Sequence, residues 1–385
     1  MSIYSVGNDL YTGKKSFDFV GKRKIWFTIA VVAIVLSLAS LIFRGLNLGV
    51  EFTGGSQFTV SSTSDTSEAP AQKVFSEYLG DDAVRVSALG DSSVRVQITK
   101  EASQDAKDTS DSDQLSNAQV EEIKAKLADA YGVKAEDVTS TYVGPSWGQD
   151  ISTKALRGFI VFVVLAALGL TLYFRTWRNA AGAILALFND LVVTVGIYSI
   201  FGFEVTPASV IGLLTILAYS LYDTVVVFDK VRENTEKLLK QDDYTFAEST
   251  NLAVNQTLIR TLNTSVTSLL PVASILFIGV WLLGAATLRD LALVMFVGLI
   301  LSSLSSMFIA APLAVALTET SPEIKEHTAK VLAKREARIA ERQARIDAGE
   351  DVEDLEEIPT KAIMSVPGQH LGNKAQPKRK KRKKK

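Results

Sequence analysis

The 385-residue chain carries 41 Lys and Arg against 42 Asp and Glu, a net charge of −1, and 47% of it is hydrophobic. Its length allows two or three domains, and its balanced charge averages polar connectors with nearly uncharged windows, so it points to no partner. The absence of cysteine excludes disulfides and thiolate metal sites, and His327 and His370 alone give no basis for a histidine zinc centre.

In chain order, a basic arm (1–24) precedes an apolar run at 25–43. A positive start before such a run also describes a signal peptide, with Ser37-Leu38-Ala39 as a passable cleavage site. The run is longer than the usual core of about 7–15 residues, so it reads as an uncleaved anchor. Five more apolar windows follow, at about 158–174, 180–202, 206–228, 264–284 and 291–316. The fold class expected is an α-helical membrane protein with six transmembrane helices.

Between the first two spans, segment 44–157 holds 18 acidic and 11 basic residues. Alternating stretches at 56–60 and 93–98, and a shorter one at 83–88, predict strands. Helical spacing marks 71–79 and 117–131, and a last strand is expected near 137–143. The order β-α-β-β-α-β predicts a small split-βαβ, ferredoxin-like α+β domain, with a polar loop at 102–114. Cations cluster in the arm, at Arg175 and Arg178, and at 230–240, whereas the alternate loops hold only Glu204 and the pair Arg289–Asp290. The positive-inside rule then puts both termini in the cytoplasm and 44–157 outside. The C-terminal part, 317–385, is read as cytoplasmic: a charged helix at 323–348 ending before Gly349, an acidic stretch at 350–357 and eight cations at 378–385. Leu332, Ile339 and Ile346 recur every seven residues without apolar residues between, so a solvated single helix is expected rather than a coiled coil. The basic end suits anionic lipid or RNA, or a disordered terminus.

Three polar residues at membrane depth carry the chemistry. Asp223 is the only formal charge in 210–228, where an ionisable group costs roughly 2.5–3.5 kcal/mol to insert and so marks a partner or a water path. It lies roughly 8 Å from the cytoplasmic end of the fourth span, and Asp190 lies roughly 16 Å into the third, at the helical rise per residue. Arg260, at the approach to the fifth span, is the natural counter-charge for Asp223. A permanent Asp223–Arg260 ion pair that only fixes packing is the structural alternative, and Asp190 equally suits an interhelical hydrogen bond. Pro207 and Pro271 mark a helix start or kink, and Gly212, Gly298, Ser302, Ser305 and Ser306 mark close packing. Gly54-Gly55 has no following Lys-Ser/Thr, so it is no phosphate loop.

Six motifs in order resemble the SecD/SecF family of Sec translocase accessory proteins, on its SecF side: 17–23 (FDFVGKR), 49–55 (GVEFTGG), 143–148 (VGPSWG), 223–234 (DTVVVFDKVREN), 260–265 (RTLNTS) and 305–310 (SSMFIA). The sequence departs from the family at Glu51, where Asp is usual, and at Tyr222, where Asn is usual. The resemblance implies a membrane domain of the proton-driven exporter (RND) type with an external α+β domain, in the bacterial plasma (inner) membrane. It implies SecD as partner, with the SecYEG channel, the emerging preprotein and membrane lipids, and SecA and YajC indirectly. Asp223 and Arg260 fall on the family's proton-coupling pair. The transmembrane proton gradient replaces any cofactor, and the chain is not expected to be an enzyme or to hydrolyse nucleotide. Alternatives of other classes are an independent exporter of lipid or small molecules, an intramembrane aspartyl protease using Asp190 and Asp223, and a tether that only stabilises SecD.

Overall fold

The computed structural model describes residues 8–12, 15–79, 84–88, 92–99, 116–174, 176–282 and 288–347. Arg175, the loop at 102–114, Gly349, the acidic stretch 350–357 and the basic end 378–385 lie outside them. Helix α1 is Arg23–Phe43; β1 (Asn47–Leu48), α2 (Val50–Thr53), β2 (Gly55–Val60), α3 (Ala69–Leu79), β3 (Val84–Ala88), β4 (Val94–Thr99), α4 (Asn117–Tyr131) and β5 (Val138–Val143) follow. The remainder is α5 (Pro145–Phe174), α6 (Trp177–Phe201), β6 (Glu204–Val205), α7 (Pro207–Thr235), α8 (Phe246–Ser274), α9 (Arg289–Ser305), α10 (Ala311–Thr318) and α11 (Pro322–Asp347). Two π-helical stretches, Ile275–Leu282 and Ser306–Ala310, continue α8 and join α9 to α10.

Six helical segments are long and apolar enough to cross a membrane, beginning at Arg23, Trp147, Trp177, Pro207, Phe246 and Arg289. Several outrun the predicted spans: α5 begins at Pro145 and α8 at Phe246, because polar residues at their ends continue the helix beyond the apolar window. Capping sets the starts of α7 and α8. Thr206 accepts from the Ser209 amide ahead of Pro207, and Thr245 and Glu248 satisfy each other's orphan amides. Glycines let the helices close up. A methyl on Gly298 would overlap Ile216, one on Gly212 would overlap Val294, and one on Gly196 would overlap Ser37.

The α+β domain has the strand order β3-β4-β2-β5, every neighbour antiparallel, with Phe58 opposite Val96 and Ser140. This is the split-βαβ arrangement. Period-two alternation sends Phe58, Val60, Val94, Val96 and Ile98 under α3 and α4, against Phe75, Ile123 and Leu127. The opposite face of β4 carries Arg95 and Gln97, and these are buried too. They lie under the end of the helical bundle rather than in water, through contacts with Glu204 and Asp290.

Helix α11 is a single, largely exposed helix as expected, but its first half is also docked by side-chain contacts. Its Arg335 grips Glu248 through both guanidinium nitrogens at 2.9 and 3.1 Å, Lys330 pairs with Asp242 at 3.0 Å, and Val331 is buried. His327 Nε2 donates to the Gln241 carbonyl at 2.7 Å. The intervening Arg and Lys that broke the heptad pattern pair with the α7–α8 connector.

The backbone at Gly54 (φ 74, ψ 161) lies in a region essentially restricted to glycine. Gly54→Ala is therefore expected to lower stability by about 1–3 kcal/mol, seen as a lower midpoint in thermal unfolding of the detergent-solubilised chain. An unchanged midpoint would refute the strain assignment.

Candidate functional site

Asp223 sits on the buried stripe of α7 with Gly212, Ile216, Ser220 and Val227, and is 8% exposed. Among the described residues its carboxyl has no hydrogen bond and no ion pair. The expected counter-charge does not reach it. Arg260 is exposed, because α8 buries Ala253, Thr257 and Thr261 and turns position 260 away from that stripe. Tyr222 points outward at 53% exposure, so it replaces no hydrogen bond on its neighbour. Tyr219 on α7 and Leu262, Val266 and Leu270 on α8 are likewise exposed.

Asp190, on α6, is 2% exposed and held from two sides. Ser220 donates to its Oδ2 at 2.6 Å and Asn189 to its Oδ1 at 3.3 Å. Ser220 and Asp223 are three residues apart on one helix, so their side chains are neighbours. The structure thus joins Asp190 to the Ser220 hydroxyl one turn from Asp223, and leaves Arg260 off that stripe.

Two sets of residues at the ends of the bundle escaped the sequence reading. Asn251 and Asn255, one turn apart on α8, clip the backbone of the arm. Asn255 Oδ1 accepts from the Phe17 amide at 2.7 Å, Asn251 Oδ1 accepts from the Phe19 and Val20 amides, and both side-chain amides donate to the Phe17 carbonyl. The i,i+4 asparagine pair was the available signal.

At the opposite end Arg95 donates to Glu204 at 2.6 Å and lies 3.5 Å from Asp290, while Gln97 also donates to Glu204. Strand β1 pairs with β6 beside them, the Gly49 amide donates to the Val205 carbonyl, and Arg44 donates to the Ile200 carbonyl. Glu51 approaches the same place with one oxygen buried and unpaired. The motif at 143–148 meets the motif at 49–55 here, since Gly148 packs against the Phe52 carbonyl. Burial pushes the Glu204 carboxyl above the ordinary glutamate range, and Arg95 only partly pulls it back. Burial opposes the charge on Arg95, but Glu204 and Asp290 outweigh it and hold the guanidinium above its usual value.

Comparison with known proteins now places the chain. Residues 122–320, more than half of it, match the family described as protein export membrane protein SecD/SecF, C-terminal, and residues 39–66 match the SecD/SecF GG motif. The chain belongs to the SecD/SecF family. It is 43% identical over 365 residues to the protein translocase subunit SecF of Streptomyces coelicolor, covering 94% of this chain and 93% of that one. The SecF of Mycobacterium tuberculosis (strain CDC 1551 / Oshkosh) is 38% identical over 376 residues, covering 95% and 82%. Among solved structures it resembles SecDF of Thermus thermophilus, a translocon-associated membrane protein, with a TM-score of 0.68 and 27% identity. That match covers 79% of this chain and 39% of the longer SecDF chain. The SecD/SecF GG motif contains Gly54, whose backbone admits little but glycine.

Two expectations follow. Glu204 binds a proton more readily when buried at this junction than when exposed, so by linkage the junction gains stability as pH falls from neutral toward the ordinary glutamate range, and loses it as pH rises through the raised value. With no native cysteine, spin labels at Lys124→Cys and Phe201→Cys report the distance across the junction. The close population is expected to grow on acidification, and Glu204→Gln is expected to abolish that dependence. Separately, Asn251→Ala with Asn255→Ala is expected to weaken the arm's attachment by about 1–3 kcal/mol, read as faster tryptic cleavage at Lys22–Lys24. Equal cleavage rates would refute the clip.

Proposed function

We propose that this chain is the SecF-type accessory subunit of the Sec preprotein translocase, coupling the proton-motive force to late steps of protein export with a SecD partner. A solitary carboxyl on the buried face of α7, with no cation in contact among the described residues, carries the reading. Such a group in a membrane-spanning helix is costly, and it characteristically serves proton or ion movement. Arg260, exposed beside Asp223's helix, is available to a second subunit. The relative solved as SecDF is a single chain of which this one covers 39%, and that supports a SecD-like half as the missing neighbour.

In this proposal both termini are cytoplasmic, in the bacterial plasma membrane, and the α+β domain lies outside, where it meets the emerging preprotein near the SecYEG channel. Asp223 takes a proton from the outside and releases it inside, so its charge state alternately favours and disfavours contact with Arg260 and the partner. Coupling to the domain is mechanical. Helix α7 begins just after Glu204 and α9 begins at Arg289-Asp290, so both deliver a carboxylate to Arg95 on the sheet. A shift of α7 against α9 is felt directly at β4. One charge crossing about 100 mV is equivalent to roughly 2.3 kcal/mol, enough to bias a two-state packing and too little to unfold a domain.

The test is export driven by the proton-motive force in vesicles carrying equal amounts of complex. Asp223→Asn is expected to abolish the gradient-dependent component and leave the ATP-driven component intact. Undiminished gradient-dependent export by that variant would reduce the chain to a structural tether.

A further inference from the structure

We propose that the slot between α1, α6 and the end of α9 is a phospholipid site, with an acyl chain in the slot and an anionic headgroup at Lys22. The site is separate from the proton role given to Asp223 and does not depend on it.

The slot forms where two helix contacts hold α1 off its neighbours. α1 and α6 meet closely at Ser37 and Gly196, where a methyl on the glycine would overlap the serine. Three turns earlier on α1, the Trp26 ring lies 4.3 Å from the Phe308 ring, centroid to centroid, in the π-helical stretch after α9. Between these contacts α1 presents Ala30 and Ala33, which are too small to fill the gap. A space of about 370 Å³ remains, walled also by Val193 and Leu301. Its most exposed lining residues, Ile29 and Leu304 at 54% and 49%, set its mouth on the outer surface of the bundle, within two of the membrane-length helices.

Water does not suit this space. Its walls are almost wholly apolar. The polar residues at its floor, Asn189, Asp190 and Ser305, are each at most 8% exposed, and Asp190 is already held by Ser220 and Asn189. A water needs roughly two to four polar partners, and the unpaired oxygens of Asn189 and Ser305 are closed off from the slot. At membrane depth the other solvent is hydrocarbon. A lipid tail enters without a desolvation cost and makes the dispersion contacts that an empty slot forfeits.

The sequence of α1 sets the headgroup end. Lys22 caps the helix one turn before Trp26, and positions 22, 26, 30 and 33 share one helix face. Arg23 is taken by Glu319 at 2.6 Å, and the Asp18 carboxyl turns back to accept the Gly21 amide at 2.7 Å. Lys22 and Lys24 are exposed, and neither has an ion pair among the described residues. A cation, then a tryptophan, then an apolar slot follows a phospholipid from phosphate through glycerol ester to acyl chain. The free lysines favour an anionic head over a zwitterionic one. The seated chain closes the side of the bundle behind Asp190 with hydrocarbon.

The test uses the full chain with its partner in phosphatidylcholine vesicles. Two probes carry the same photoactivatable diazirine on an acyl chain, one with a phosphatidylglycerol head and one with a phosphatidylcholine head. Peptide mass spectrometry compares labelling of 26–33 and 301–309 with labelling of Leu165 and Leu172, exposed on α5. The ratio of slot to α5 labelling is expected to be well above one, and about fivefold higher with the anionic head, as for one lysine near the surface. Lys22→Ala is expected to remove that headgroup preference and leave slot labelling by the phosphatidylcholine probe unchanged. Ala33→Phe, which fills the slot, is expected to lower slot labelling about tenfold with either probe, the loss of roughly two buried methylenes. Unchanged α5 labelling and partner co-purification show that the variant is folded. Equal labelling of slot and α5 in the native protein overturns the site. Slot labelling that ignores the headgroup, or that Lys22→Ala leaves selective, overturns the anionic anchor.

Discussion

Two carboxyls are enclosed in a bundle of membrane-length helices where, among the described residues, no guanidinium or ammonium touches them, and the rest of the arrangement answers to that constraint. Taking a carboxylate out of water costs several kcal/mol even after relaxation. Asp190 meets the cost with donors from Ser220 and Asn189, which consume the polar capacity of the α6–α7 interface. Asp223 has no such donors among the described residues. It is therefore the place where a proton, or a charge brought by another subunit, changes the energy most. Glycines at 212 and 298 hold α7 and α9 too close for side chains to slip between them, so a change at Asp223 shifts helices as units.

The sheet is the second half of the device. Its apolar face is closed by its own helices, and its polar face closes on the bundle through one arginine shared by two carboxylates. Those carboxylates stand at the starts of α7 and α9, the helices that carry Asp223 and Ser305. The Arg95 junction is buried enough for its electrostatics to matter and polar enough to re-form, the combination expected of a contact that changes during a cycle rather than a permanent weld. At the other end, the asparagine clip on the arm and the α11 grip on Glu248 tie Phe17 and α11 to α8.

Much of this was legible in the sequence. Hydropathy located the six helices, because span length follows from membrane thickness. Period-two alternation located the strands, and the order of strands and helices implied the split-βαβ sheet. The isolation of Asp223 within an apolar run was visible too. What a hydropathy window cannot carry is rotation about the helix axis, and that is why Arg260, in the right helix, was expected at Asp223 and stands elsewhere. Arg95 and Gln97 alternate with valines like any solvent-facing pair, and their partner Glu204 is 109 residues away from Arg95. The same distance in sequence hid the asparagine clip, whose two halves are 238 residues apart at Phe17 and Asn255. Local patterns report elements; pairing between distant polar groups is a property of the assembled fold.

The central claim is that Asp223 changes protonation during the cycle. Infrared difference spectroscopy on the reconstituted complex tests this most directly, by following the carboxylic-acid carbonyl band as the inside buffer is made alkaline. The account requires a band that disappears on alkalinisation and is missing from Asp223→Asn. A spectrum that does not change, or an identical change in Asp223→Asn, would contradict it.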